Sequence, residues 1–227
     1  MLKEPRIIFS LRRHELRERD AEGNKLVNLT KDAYERCKYY GGLIDLEPYG
    51  DARLVAYHSN EPRAIQTVKG VLEGAGITNP ESVMNYAAAL NEIDFSLNPD
   101  YKKELKSIPE YNDRLNFLLQ QPDKSGKTET IQEAGWRVIM HLEEVARSLR
   151  KQGGHVWIVE NATHGPLVEA ALIHLIDPGI KDIKYLHGGF REGESFRIDP
   201  YGMFSEIYFR GEHYKRFPFD GTECMIG

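Results

Sequence analysis

Two arginines, two histidines and one carboxylate are spread along this chain in a pattern suited to holding and cleaving a phosphoryl group: Arg13-His14, Arg63, Asn91-Glu92 and His164-Gly165. Imidazole is the side chain whose neutral, nucleophilic form is well populated near pH 7. Guanidinium forks match phosphate oxygens two at a time, and phosphoryl transfer demands positioning and charge neutralisation more than covalent help. A carboxylic acid can protonate a departing alkoxide and then take a proton from an attacking water. These are the parts of a phosphomonoesterase.

Such parts work only if the backbone brings them together. Arg13-His14 follows the apolar run Ile7-Ile8-Phe9-Ser10-Leu11, which reads as a buried strand over residues 6–11. His164 follows a second such run, Val156-Trp157-Ile158-Val159. Arg63 sits behind Pro62, a helix-starting residue whose missing N–H is no loss in the first turn. A strand over 53–57 precedes that helix, and Ala64, Ile65, Val68, Val71 and Leu72 give it an apolar face. A third short strand within 82–90 would deliver Asn91 and Glu92 to a sheet edge.

The remaining elements fill in around these. Thr30 is placed to cap a helix through Tyr40, with Gly41-Gly42 as its stop, and residues 12–28 read as a charged loop. Ile131, Ala134, Val138, Leu142, Val145 and Leu149 mark a helix over 130–151, and Pro166 opens another that runs to Ile176. Residues 196–198 and 206–210 suggest a terminal hairpin, with Phe190, Phe196, Tyr201, Phe204, Tyr208, Phe209 and Tyr185 as its core. Between 96 and 128 apolar residues thin out, which predicts a helical cap inserted into one domain spanning 1–227. Strands alternating with helices predict an α/β three-layer sandwich: a mostly parallel sheet, helices on both faces, and the ligand site at the strand ends.

Bulk properties narrow the function. A chain of 227 residues has room for one substantial core, and 41% apolar with 29% charged residues is ordinary for a soluble globular protein. A formal charge of −5 argues against a general nucleic-acid or anionic-membrane binder. Cys37 and Cys224 lie far apart with no CxxC, so no zinc or redox motif is present, and two free thiols in a reducing compartment is the expectation. His14-Glu15 lacks the second histidine of an HExxH motif, since position 18 is Glu. No stretch approaches the ~18 apolar residues of a membrane span, and the N-terminal apolar run is too short for a signal sequence. The chain is therefore expected to be soluble and in the cytoplasm.

The motifs together resemble the histidine phosphatase (phosphoglycerate mutase-like) superfamily. Leu11-Arg-Arg-His14-Glu15 resembles its Arg-His-Gly signature, and Leu29-Thr30 its Leu-Thr-x-x-Gly element. Ser59-Asn-Glu-Pro-Arg63-Ala64-Ile-Gln66-Thr67 is similar to its Ser-x-x-x-Arg-Ala-x-Gln-Thr segment. Leu90-Asn-Glu-Ile-Asp-Phe95 matches the acid-bearing segment, and Thr163-His164-Gly165 the second-histidine element. The resemblance runs from residue 7 to about 175 and implies a metal-independent phosphatase acting on a small phosphorylated molecule, with no metal or organic cofactor. It implies His14 as the nucleophile that forms a phosphohistidine. Arg13, Arg63, His164 and the Gly165 N–H would form the phosphate cradle, and Glu92 would be the general acid, with Asp94 as its rival.

Three positions depart from the family pattern. Glu15 replaces the glycine after the nucleophile and is expected to point away or to pair with Arg12 or Arg17. Asp20 stands where a phosphate-binding asparagine is common, and Ser96 where a glycine follows the acid segment. The first two motivate an alternative, a weakened phosphate-binding protein on the same fold. A phosphomutase is the other alternative; the family's mutases carry Glu-Arg-His-Tyr-Gly where this chain reads Glu92-Ile-Asp-Phe-Ser96, which favours hydrolysis.

Overall fold

The computed structural model describes residues 5–22, 25–153, 155–201 and 204–216. Its centre is a seven-stranded sheet. The predicted strands appear as β1 (Ile7–Arg13), β4 (Arg53–His58), β5 (Met84–Tyr86) and β6 (Trp157–Thr163), lying in the order β5-β4-β6-β1 with every pairing parallel. Antiparallel strands β7 (Ser195–Tyr201), β8 (Phe204–Phe209) and β9 (Glu212–Arg216) continue the sheet beyond β1. The predicted terminal hairpin is thus three strands joined to the central sheet.

Helices cover both faces, because alternate residues of the parallel strands point opposite ways. Leu54, Ala56, Ile158 and Ala162 pack against Ala64, Val68 and Leu72 of α2 (Pro62–Gly74), which carries α1 (Lys31–Gly42) on its outer side. Ile7, Phe9, Leu11, Trp157 and Val159 face the other way, into a cluster with α5 (Ile131–Gln152) and α6 (Gly165–Ile176). Thr30 caps α1 by accepting the Ala33 N–H at 3.1 Å, and Thr130 with Glu133 closes a reciprocal capping box on α5.

The structure corrects several expectations. α1 runs two residues past Tyr40 and ends with Gly42, and Gly41 lies inside it; a Cβ on Gly41 would meet the Val71 carbonyl oxygen at 1.9 Å, so the glycine permits close helix crossing. The charged stretch after β1 is not a loop throughout: β2 (Arg17–Arg19) and β3 (Lys25–Leu29) form a separate antiparallel ribbon. β6 extends past its apolar run through Glu160, Asn161 and Thr163, all buried. Each finds a partner: Arg12 pairs with Glu160 at 2.6 Å, Asn161 donates to the Ser10 carbonyl at 3.1 Å, and Thr163 donates to the Leu90 carbonyl, while Asn161 Oδ1 has no partner among the described residues.

The inserted segment holds two helices, α3 (Pro99–Ser107) and α4 (Tyr111–Gln120). Leu115, Leu118 and Leu119 of α4 join the main core, so this part of the insertion is packed rather than loosely laid on. Phe190, Phe196 and Phe209 are core as expected, but Tyr185 and Tyr208 are exposed. Tyr201 and Phe204 have side chains outside the described set, and Cys224 lies outside the described residues altogether. Cys37 is a buried free thiol.

Candidate active site

The site grows from strand register. In the parallel β1–β6 pair, Arg13 lies opposite Thr163, so the chain leaves both strands at the same level and His14 and His164 emerge side by side. Their rings meet edge to face with centroids 5.5 Å apart. His58 ends β4 opposite Ala162, which sets Ser59 beside His164 and starts α2 with Arg63 in its first turn. All of this lies at the C-terminal ends of the parallel strands, where open α/β sheets bind ligands.

A pocket of about 160 Å³ forms there, lined by Arg13, His14, Glu15, Leu16, Arg17, Arg19, Arg63, Glu92, His164 and Glu192. That space equals roughly five waters, enough for a phosphoryl group and little more. The structure therefore brings His14, Arg13, Arg63, His164 and Glu92 together around one cavity.

His14 is buried, and its Nδ1 lies 2.9 Å from the Glu15 carbonyl oxygen. A carbonyl only accepts, so Nδ1 carries the proton and the Nε2 lone pair is left for the pocket. Burial lowers His14 from its ordinary 6.5 to about 2; the bond to Glu15 opposes this, while Arg63, His164 and Arg13 add to it. The imidazole is neutral at pH 7, as a nucleophile must be.

Arg63 and His164 meet each other. The Arg63 Nη2 lies 3.0 Å from His164 Nδ1, which must accept, and His164 Nε2 lies 3.2 Å from Ser59 Oγ. Burial, then Arg63, Arg17 and Arg13, lower His164 to about 3. An anion in the pocket would reverse the cationic part of that shift, freeing Arg63 and favouring a protonated His164.

Arg13 is held from three directions. It donates to the Phe190 carbonyl, its guanidinium sits 4.4 Å from the Tyr111 ring centroid, and Glu192 lies 3.5 Å away. Its buried Nε has no partner among the described residues. Gly165 opens α6, where a Cβ would meet Tyr111 Oη at 2.1 Å and Arg13 Nε at 3.0 Å, so the glycine makes room for this cluster.

Glu92 is not buried: its side chain is 54% exposed and lies 3.9 Å from Arg63 Nη2 at the pocket rim. It follows an isolated 3₁₀ turn rather than a strand, which leaves it on the surface. Asp94 accepts the Ser96 N–H at 2.7 Å, and its bonds to Ser96 hold it below the usual carboxylate range, which makes it a poor proton donor.

Glu15 follows the first of its two expected courses: its carboxylate turns away, toward Arg36 and Tyr40 of α1, and pairs with neither Arg12 nor Arg17. Instead it accepts from Arg36 Nε at 3.2 Å, Arg36 Nη2 at 3.0 Å, Tyr40 Oη at 3.1 Å and the Leu16 N–H at 3.1 Å. Gly193, at φ +77°, admits this carboxylate, since a Cβ would lie 2.2 Å from Glu15 Oε1.

Sequence reasoning missed Arg17 and Arg19, whose alternate positions on β2 line the pocket; the two-residue spacing was a signal obscured by surrounding charge. Glu192 and Tyr111 carried no local signal. Asp20 is outside the lining. Among the described residues, no group of three His, Cys, Asp or Glu side chains is placed to hold a metal, and no helix is long and apolar enough to cross a membrane.

Comparison with known proteins bears on the fold and the family. The fold is similar to that of a phosphoglycerate mutase from Bacillus anthracis (TM-score 0.56, 16% identity, covering 96% of this chain and 94% of that one). It is similar also to a mycobacterial glucosyl-3-phosphoglycerate phosphatase (TM-score 0.60, 15% identity, 86% and 90% covered). A third likeness is to a putative alpha-ribazole-5'-P phosphatase from Escherichia coli (TM-score 0.54, 17% identity, 93% and 95% covered). No curated protein sequence matches. The family match is at the level of sequence: the histidine phosphatase superfamily (branch 1) pattern fits residues 13–202, and this chain belongs to that superfamily.

Proposed function

We propose that this protein is a metal-independent phosphatase that hydrolyses a small phosphomonoester through a phosphohistidine on His14. The observation that carries the reading is the bond from His14 Nδ1 to the Glu15 carbonyl, which leaves Nε2 unprotonated beside Arg13, Arg63 and His164. In the first step Nε2 bonds to phosphorus as the P–O ester bond breaks, and Glu92 gives its proton to the leaving alkoxide. In the second, Glu92 takes a proton from water, whose oxygen bonds to phosphorus as the N–P bond breaks, releasing inorganic phosphate. Arg13, Arg63 and His164 neutralise the phosphoryl oxygens throughout.

Arg17 and Arg19 favour a second reading, a phosphomutase, since a mutase must hold two anionic ends of its substrate. A requirement for a bisphosphorylated cofactor would identify it.

The test is hydrolysis of an aryl phosphate from pH 4.5 to 8 with EDTA present, comparing wild type, His14→Ala and Glu92→Gln. Activity should survive the chelator, vanish in His14→Ala and fall about a hundredfold or more in Glu92→Gln. Full activity in His14→Ala would rule out the phosphohistidine.

A further inference from the structure

Glu169, on α6, is wholly buried, and no step above uses it. Its Oε1 accepts the Tyr111 hydroxyl at 3.0 Å and the Phe190 N–H at 2.7 Å, while its Oε2 has no partner among the described residues. Both donors lead to one place. The Tyr111 ring lies under the Arg13 guanidinium, and the Phe190 carbonyl, on the same residue whose N–H Glu169 holds, accepts from Arg13. Glu169 is therefore joined to Arg13 by two bridges without touching it.

We propose that Glu169 and Tyr111 are positioning residues that fix the Arg13 guanidinium at the pocket wall, a role that rests on the reading of Arg13 as a phosphoryl ligand. A half-satisfied buried carboxylate is costly, and a site that retains one uses it. The glycine at 165 fits the same account, because any larger residue would displace the Tyr111 hydroxyl and Arg13 Nε together. A hydroxyl donating to a carboxylate also enriches its ring in electron density, which strengthens the hold on a cation over the ring face. Tyr111 is the first residue of α4, so this inserted helix reaches Arg13 through the Tyr111 side chain. Burial pushes the Glu169 carboxyl up to about 7, consistent with its having no cation in direct contact.

Calorimetric binding of sulfate, a tetrahedral dianion that cannot be hydrolysed, tests the role in wild type, Glu169→Ala, Glu169→Gln, Tyr111→Phe, Arg13→Ala and the double variant Arg13→Ala/Glu169→Ala. Glu169→Ala and Tyr111→Phe should each weaken sulfate about tenfold. Glu169→Gln, which keeps an acceptor oxygen for both donors, should restore binding to within about twofold. In the Arg13→Ala background, Glu169→Ala should add nothing, because the effect travels through Arg13. An equal loss with and without Arg13 would mean a purely structural role and overturn the proposal. The Arg13 Nε–H resonance is a second readout that needs no anion: the Tyr111 ring should displace it in wild type, and Glu169→Ala should return it toward that of a free arginine. An unmoved resonance overturns the proposal. A moved resonance with no sulfate binding in wild type upholds the positioning and overturns instead the reading of the pocket as a phosphoryl site.

Discussion

Two buried glutamates flank the histidine pair, and they are treated in opposite ways. On the α1 side, Glu15 is 1% exposed and accepts four hydrogen bonds, two of them from Arg36. On the α6 side, Glu169 is fully buried, has one oxygen satisfied by two neutral donors and leaves the other unpartnered. The first arrangement cancels a charge that would otherwise repel an anion beside the nucleophile. The second leaves a group whose ionisation is poorly supported and whose bonds are spent on holding a neighbour. Burial alone does not tell what a carboxylate does; its donors do.

Removing Arg36 would break this contrast most severely. Arg36→Ala strands the Glu15 charge and should cost about 3 kcal/mol, the low end for a buried pair because Arg36 is itself 45% exposed. Urea unfolding measures it, and adding Glu15→Ala should recover most of the loss. A cost below about 1 kcal/mol would show that Glu15 is neutralised by other means.

Next in size is the contrast between matched amide substitutions. Glu15→Gln gives up charge-assisted bonds and should cost about 2 kcal/mol at pH 7. Glu169→Gln keeps its neutral geometry and should stay within about 1 kcal/mol of wild type. Equal costs would erase the distinction drawn between the two sites.

The pH dependence of stability sharpens the comparison further. His14 and His164 fall below 6.5 on folding, so under pH 6.5 the unfolded chain binds the extra protons and stability drops as pH falls. His141, lowered by burial, acts in the same direction. Glu169 is raised from 4.5 to about 7, so it contributes stability at low pH that is lost as pH climbs toward 7. Between pH 4.5 and 5.5 the two histidines outweigh the one glutamate by about one proton, and the margin shrinks toward pH 6.5 as the unfolded histidines lose their protons. Stability should rise by about 1.4 kcal/mol per pH unit over that lower range, and more steeply in Glu169→Gln, where the opposing group is gone. An unchanged slope in Glu169→Gln would mean that Glu169 does not titrate there.

The smallest effect is expected at Arg17, which lines the pocket on the open ribbon side. Arg17→Gln should weaken sulfate binding only about threefold, with the loss shrinking at high salt because the charge is partly solvated. A tenfold or greater loss would make Arg17 a principal ligand on a par with Arg63.

Much of the site was legible from local pattern. The apolar runs before His14 and His164 gave their strands, Pro62 gave the helix start that carries Arg63, and Thr30 marked the cap of α1. What failed did so where tertiary partners override local composition. Glu160 and Asn161 looked like a strand end, yet Arg12 and the Ser10 carbonyl let β6 continue through them. Gly41 looked like a helix stop because only the crossing with α2 shows why it must lack a side chain. Glu92, expected directly after a short strand at a sheet edge, instead follows a 3₁₀ turn that separates it from β5 and sits at the pocket rim.

The sequence by itself determined which groups are available and in what order strands and helices present them, since hydrophobic period, capping residues and helix-starting prolines act over a few neighbours. Only the tertiary structure decided how those groups are engaged. The β1–β6 register aligns Arg13 with Thr163 and so places the two histidines together. Arg36 reaches Glu15, and Tyr111 reaches Glu169 across 58 positions of the chain. The physical reason is that a buried polar group must find its partner wherever packing brings one, and that choice leaves no period in the sequence to read.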